Sequence, residues 1–199
     1  MANNVTNRIT IHANDDAVNA MEQRFLNSGG YADVNSFVKA FYDEYETSED
    51  GNAVLYSWTL DYLGAKWVYF EDQIDSNYFN IQSASYPPHE FLQHLYNLVT
   101  EIDPEGYLEV EYEDEGYEPV GVILFKKDSN GEPRFWTDEE YDWENPADDM
   151  DYDDEGYDDA NMEFYDSIAE YHAESMASAH HAIDNGEGQP FKLIREKSE

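Results

Sequence analysis

Between residues 135 and 191 the chain carries 19 Asp or Glu and neither Lys nor Arg. This stretch constrains the fold more than any other feature. Like charges at that density repel, and the repulsion opposes compaction. The segment therefore cannot be a buried layer. It is either disordered ballast or a surface shaped for something positively charged. Aromatic content decides whether the chain folds at all, because acidic disordered chains are poor in rings. Here 16% of residues are aromatic, with 17 Tyr, 10 Phe and 4 Trp. Rings on that scale bury much apolar area, so the sequence reads as a folded protein with an acidic skin.

The 199 residues suffice for one domain with a real core. The 46 acids against 10 bases give a formal net charge of -36. That excludes direct nucleic-acid binding by phosphate neutralisation, which needs basic patches. It also disfavours anionic membrane surfaces. The expected partner is basic, and a homodimer stays open. No Cys is present, so neither a disulfide framework nor thiolate chemistry is expected. No signal-like or membrane-spanning apolar run is visible, and a cytoplasmic location is expected. An extremely halophilic proteome spreads its acids evenly, whereas these are concentrated.

Periodicity predicts a strand over 5–13 and a helix over 17–26 behind an Asn14-Asp15-Asp16 cap. A second helix is expected over 34–45, then strands over 54–63, 67–71 and 78–84. Pro87-Pro88 stops the last of these and opens a helix over 89–102, with Phe91, Leu95, Leu98, Val99 and Ile102 on one face. Strands over 107–112 and 120–126 and a turn over 128–131 follow. The body, 1–131, reads as an α+β domain: an antiparallel sheet with helices on one face. The extension, 132–199, reads as an acidic loop over 138–160, a helix over 161–185 and a tail over 186–199, packed on the body. Tyr165, Ile168, Ala169, His172 and Met176 are its expected packing face.

The opening Met1-Ala2-Asn3-Asn4-Val5-Thr6-Asn7-Arg8-Ile9-Thr10-Ile11 resembles the "MANxxxNxxxI" start of the YubB-type ferredoxin-like family of phage and plasmid proteins. Gly64-Ala65-Lys66-Trp67 resembles that family's "GTKW" segment, with Ala for Thr. The stretch from Phe79 to Pro88 resembles its "F-x-T-A-W-x-P-P" junction, with Ser85 for Trp. The resemblance covers roughly residues 1–127. It implies a ferredoxin-like core and a mobile-element origin, and no catalytic residues.

Three chemistries compete for the acidic part. The first is DNA mimicry, in which carboxylates stand where phosphates would lie in the cleft of a DNA-binding enzyme. Glu163, Asp166, Glu170 and Glu174 step by three, four and four along the expected helix and form one stripe. Asp148, Asp149, Asp151, Asp153, Asp154, Glu155, Asp158 and Asp159 supply a second row. Glu109, Glu111, Glu113, Asp114, Glu115 and Glu118 extend the surface from the sheet. The second chemistry is calcium binding. Asp151, Asp153, Glu155 and Asp159, with Gly156 between, copy positions one, three, five and nine of an EF-hand loop. Position twelve, however, holds Met162 rather than Glu. The third is docking on a basic protein surface without blocking DNA; Tyr141, Tyr152 and Tyr157 among the acids suit either an interface or a pin to the body. Catalysis is not expected: no P-loop, G-x-S-x-G or H-E-x-x-H occurs. His180-His181 are adjacent and cannot form an i, i+4 metal pair. No cofactor is expected. The reading that combines charge and helical register is a non-enzymatic inhibitor of a host defence or DNA-processing enzyme.

Overall fold

The computed structural model describes residues 3–27, 38, 41–49, 51, 54–75, 77–141 and 143–191. The elements, in chain order, are β1 (Asn4–His12), α1 (Asp15–Asn27), α2 (Tyr56–Leu63), β2 (Val68–Asp75), β3 (Tyr78–Ala84), α3 (His89–Ile102), β4 (Tyr107–Asp114), β5 (Val120–Lys127), β6 (Pro133–Glu140), a 3-10 helix (Pro146–Asp149), α4 (Tyr157–Asp184) and β7 (Gln189–Pro190). Most of the helix expected over 34–45 lies outside the described residues; Val38 and Phe41, inside them, are helical and buried.

The fold is α+β, around a seven-stranded sheet in the order β2-β3-β1-β4-β5-β6-β7. Every neighbouring pair is antiparallel. Strict alternation on β1 sends Val5, Asn7, Ile9 and Ile11 to one face. There they meet Phe79, Ile81, Leu108 and Val110 from the flanking strands, Met21 of α1, and Phe91, Leu92 and Leu95 of α3. The Nδ2 of buried Asn7 donates to Val5 O and to Ser83 Oγ, both at 3.0 Å, while its Oδ1 accepts no hydrogen bond among the described residues.

Strand β5 differs from its neighbours because it is apolar on both faces. Ile123 and Phe125 join the main core, while Val120, Val122 and Leu124 face the other way. Helix α4 covers that second face. Helices therefore lie on both faces of the sheet, not on one as the sequence suggested, and the second cover is built from the acidic segment itself.

The segment over 54–63 is helix α2 from Tyr56, not a strand. Its β-branched and aromatic residues alternate well enough to mimic a strand, but tertiary packing overrides that preference. Trp58 is buried edge-on against Tyr42 at 5.2 Å and stacks on Tyr62 at 4.6 Å. Thr59 is fully buried and donates to Lys66 O at 2.8 Å. Gly64, at φ +81°, ends the helix in the left-handed conformation. The loop expected over 138–160 also changes. Residues 138–140 complete β6, 146–149 form the 3-10 helix, and 157–160 open α4. Trp67 and Tyr69 stack at 5.4 Å and are half-buried. No helix among the described residues is long and apolar enough to cross a membrane.

Candidate functional site

Helix α4 is 28 residues long and starts four residues before the expected position. Gly156, at φ +98°, supplies the turn into it, and Asp158 and Asp159 fill its first turn, where carboxylates suit the positive end of the helix dipole. At the far end, Gly186 (φ +78°) donates to Ile183 O and Glu187 N donates to Ala182 O, closing the exposed carbonyls. The buried seam is Phe164, Ile168, His172, Ser175, Met176, Ala179, Ala182 and Ile183. Tyr165 and Ala169, expected in that seam, are exposed. Phe164 and Ile168 pack on Val120, whereas Met176, Ala179 and Ile183 pack on Val122 and Leu124.

The acidic stripe lies opposite. Glu163, Asp166, Glu170 and Glu174 are all exposed, and the early helix start brings exposed Asp159 into the same file. At about 100° per residue, the five centre roughly 170° around the helix from the seam. Among the described residues none of them forms an ion pair. The stripe is thus held rigidly by its back while its front is left to solvent.

The second row stands on ordered backbone. Asn145 caps the 3-10 helix, its Oδ1 accepting from Ala147 N at 3.0 Å, and its Nδ2 donates to Asn161 Oδ1 on α4 at 2.7 Å. Ala147 is buried, and Trp143 packs against Phe164 and Tyr171 at 6.3 and 5.5 Å. Asp148, Asp149, Asp151, Asp153, Asp154, Glu155 and Asp158 are all exposed. Asp151 N donates to Asp154 Oδ2 at 3.0 Å. Tyr152 is 80% exposed, with Tyr157 edge-on at 5.4 Å. The EF-hand pattern is not reproduced in space. Asp159 is drawn into the first turn of α4, and no group of three or more His, Asp or Glu among the described residues is placed to hold a metal ion.

The sheet carboxylates separate from this surface. The odd residues of β4 point into the crevice between β1 and α4. There Glu113 takes a two-pronged bond from Arg8, at 2.6 and 3.2 Å. Glu109 is bridged by two histidines, His12 Nε2 and His180 Nε2, each 2.7 Å from one of its oxygens. Burial works to raise the Glu109 carboxyl, but the bond to His180 and the contact with His12 hold it below the ordinary range. Glu111, between them, is pushed up by burial, with Glu109 and Glu113 adding and Arg8 opposing. Buried His172 has its pKa lowered by desolvation. Asp114 is buried and spent on Asn3 Nδ2 at 3.1 Å and Gly116 N at 2.9 Å. Glu115 is exposed but accepts from Asn4 Nδ2 at 2.8 Å. Glu109, Glu113 and Asp114 therefore hold the molecule together instead of extending the exposed stripe, and Glu111 lies between them in the same crevice. No local signal reveals the His12–Glu109–His180 bridge, whose members lie 97 and 71 residues apart in sequence.

Comparison with family models, with curated proteins and with solved structures finds no match to this chain.

Proposed function

We propose that this protein is a non-enzymatic DNA mimic that occupies the DNA-binding cleft of a host defence or DNA-processing enzyme. The observation that carries the reading is the file Asp159, Glu163, Asp166, Glu170 and Glu174: exposed, without ion pairs among the described residues, and fixed in register by a buried seam on the reverse side. The rise from Asp159 to Glu174 is about 22 Å, or some two-thirds of a 34 Å duplex turn. Five charges over that length are sparser than one DNA strand, which carries one per about 3.4 Å. The exposed acids over 148–158 make up the density beside it. Binding of a basic cleft to such a surface is salt-sensitive, because neutralising its carboxylates releases the counterions they gather.

The β1-α1-β2-β3-α3-β4 succession, with α2 inserted between α1 and β2, and the strand order β2-β3-β1-β4 support reading the body as a ferredoxin-like core. Together with the opening motifs, it favours an origin in a phage or related mobile element and action in the host cytoplasm.

The test is displacement of a labelled 20-base-pair duplex from purified restriction, CRISPR-effector and recombination nucleases at low and moderate salt. Displacement that weakens with salt, and is lost in the variant Glu163→Gln/Asp166→Asn/Glu170→Gln/Glu174→Gln, is expected. Failure against every such enzyme in molar excess at low salt would sink the reading. A second reading, docking on a basic protein surface beside the DNA site, is favoured by one observation: Tyr152, Met162 and Tyr165 stand 80, 60 and 49% exposed among the acids. DNA has no counterpart to such apolar anchors on its phosphate face. A target that binds the protein equally well under saturating duplex would select this second reading.

A further inference from the structure

The opposite side of the sheet carries a second feature that the mimic reading does not use. On β6, Phe135, Thr137 and Glu139 pair with Phe125, Ile123 and Gly121, on the face away from α4. A cleft of about 580 Å³ opens there, between β6 and the start of α3. Its floor is Phe125 and Phe135, stacked at 5.8 Å, and its rim includes Tyr86, His89, Glu90 and Thr137. That volume lies within the range of clefts that hold ligands. A smaller hollow of about 200 Å³ shares Tyr86 and continues toward Tyr141, Asp114 and Glu118. Every lining residue with a formal charge at neutral pH is acidic in both hollows. Burial lowers the pKa of His89, which keeps its ring neutral.

The cleft adjoins an open sheet edge. Among the described residues, the outer side of β6 is paired only at Arg134 and Phe135, by Pro190 and Gln189 of β7. Among the described residues, 137–140, which read Thr-Asp-Glu-Glu, have no outer strand partner. An edge of this kind accepts an added strand through its free N–H and C=O groups. The pairing with β7 shows that this edge already receives an extended segment along its first residues. Acids on the edge repel a second copy of a chain with net charge -36. They select instead for alternating positive charge, whose side chains would lie beside Glu139 on one face and Glu140 on the other. A guarded edge alone needs no aromatic-floored hollow next to it; a cationic side chain fits one, because ring faces attract cations.

We infer that the β6 edge and the adjoining cleft form a second docking site, for an extended, arginine- or lysine-bearing segment of a partner protein, which adds as a strand and places one basic side chain over Phe135 beside Glu90. The inference does not rest on the DNA-mimic reading, since the two surfaces lie on different faces of the sheet.

The probe is a capped, labelled heptapeptide alternating arginine and valine, titrated by fluorescence anisotropy into the full chain. Its control is the same peptide with alternate backbone amides N-methylated, which keeps the charge and blocks strand addition. Binding should fall about tenfold with the methylated peptide. Glu90→Gln/Glu139→Gln should weaken it about five- to tenfold, the size of two exposed opposite-charge pairs. The stripe variant Glu163→Gln/Asp166→Asn/Glu170→Gln/Glu174→Gln should bind within about twofold of the parent, because the stripe lies on the other face. Amide exchange should slow over 137–140 on binding. Equal affinity for the methylated peptide, or a loss in the stripe variant as large as in Glu90→Gln/Glu139→Gln, would overturn the inference. Duplex displacement by Glu90→Gln/Glu139→Gln should be unchanged, so failure of one site is read separately from failure of the other.

Discussion

Neutralising the acidic stripe should stabilise the protein while abolishing its proposed activity. In Glu163→Gln/Asp166→Asn/Glu170→Gln/Glu174→Gln each replacement keeps size and nearly the same helix propensity. None of the four side chains forms an ion pair among the described residues, and all are exposed, so no favourable contact described is lost. What is removed is repulsion between successive members of the file: 159 with 163, 163 with 166, 166 with 170, and 170 with 174. Like-charge neighbours at these spacings each cost about 0.2–0.5 kcal/mol. Four such pairs give about 1–2 kcal/mol, or a rise in Tm of about 2–8 °C for a chain of this size. Urea and thermal unfolding, followed by circular dichroism, measure the gain. Because the surface is solvated, the difference between parent and variant should shrink at 0.5 M salt, where the Debye length falls to about 4 Å. A variant less stable than the parent, or a gain that ignores salt, would refute the picture of a self-repelling array kept for recognition. Activity held at a cost in stability is the expected signature of a functional surface.

Other expectations concern what holds that surface in place. Ile168→Ala, at a 3% exposed site against Val120 and Phe164, should cost about 2–5 kcal/mol in urea unfolding and reduce duplex displacement by freeing α4. The Glu109 carboxyl has its folded pKa below the unfolded one, so the stability it contributes is present above about pH 4.5 and is lost as pH falls through the folded value. Glu109→Gln should therefore flatten the acid limb of a stability–pH profile; an unchanged limb would show that the two histidines do not act through it. Gly64→Ala should be destabilising by about 1 kcal/mol or more, since it forces a side chain into φ +81° and drives a Cβ against Glu90 Oε2. Adding Glu90→Ala should recover only the steric part in thermal melts.

The bounds of helix α3 were legible to the residue, because Pro87-Pro88 marks its start and apolar spacing continues to its end, although Ile102, expected on the packing face, is exposed. Strand β3 was legible for the same kind of reason, a clean two-residue alternation ending at a proline pair. Helix α2 was not, because its strand-like composition is overruled by the packing of Trp58, which no local pattern encodes. Strand β6 was hidden by its acids: Phe135 and Trp136 go to opposite faces, so neither face reads as apolar. The exposed file on α4 was visible from spacing alone, since register on a helix is a local property. The fate of Glu109, Glu111 and Glu113 was not, since it depends on which strand and which helix flank β4. Histidines 12 and 180 reach Glu109 only through the sheet order and the docking of α4.

The two-sided burial of β5 has a consequence for how such a protein can be cut or recombined. Val120, Val122 and Leu124 are completely covered, and their cover comes from residues far along the acidic segment. A chain truncated at residue 131 would present those three side chains to water beside a newly bared strand edge, a combination that promotes aggregation. The charged segment is therefore not a detachable tag. A graft that carried it to another scaffold would need to bring along a host sheet with an apolar outer face, and a gene that lost it would lose a soluble product along with the acidic surface.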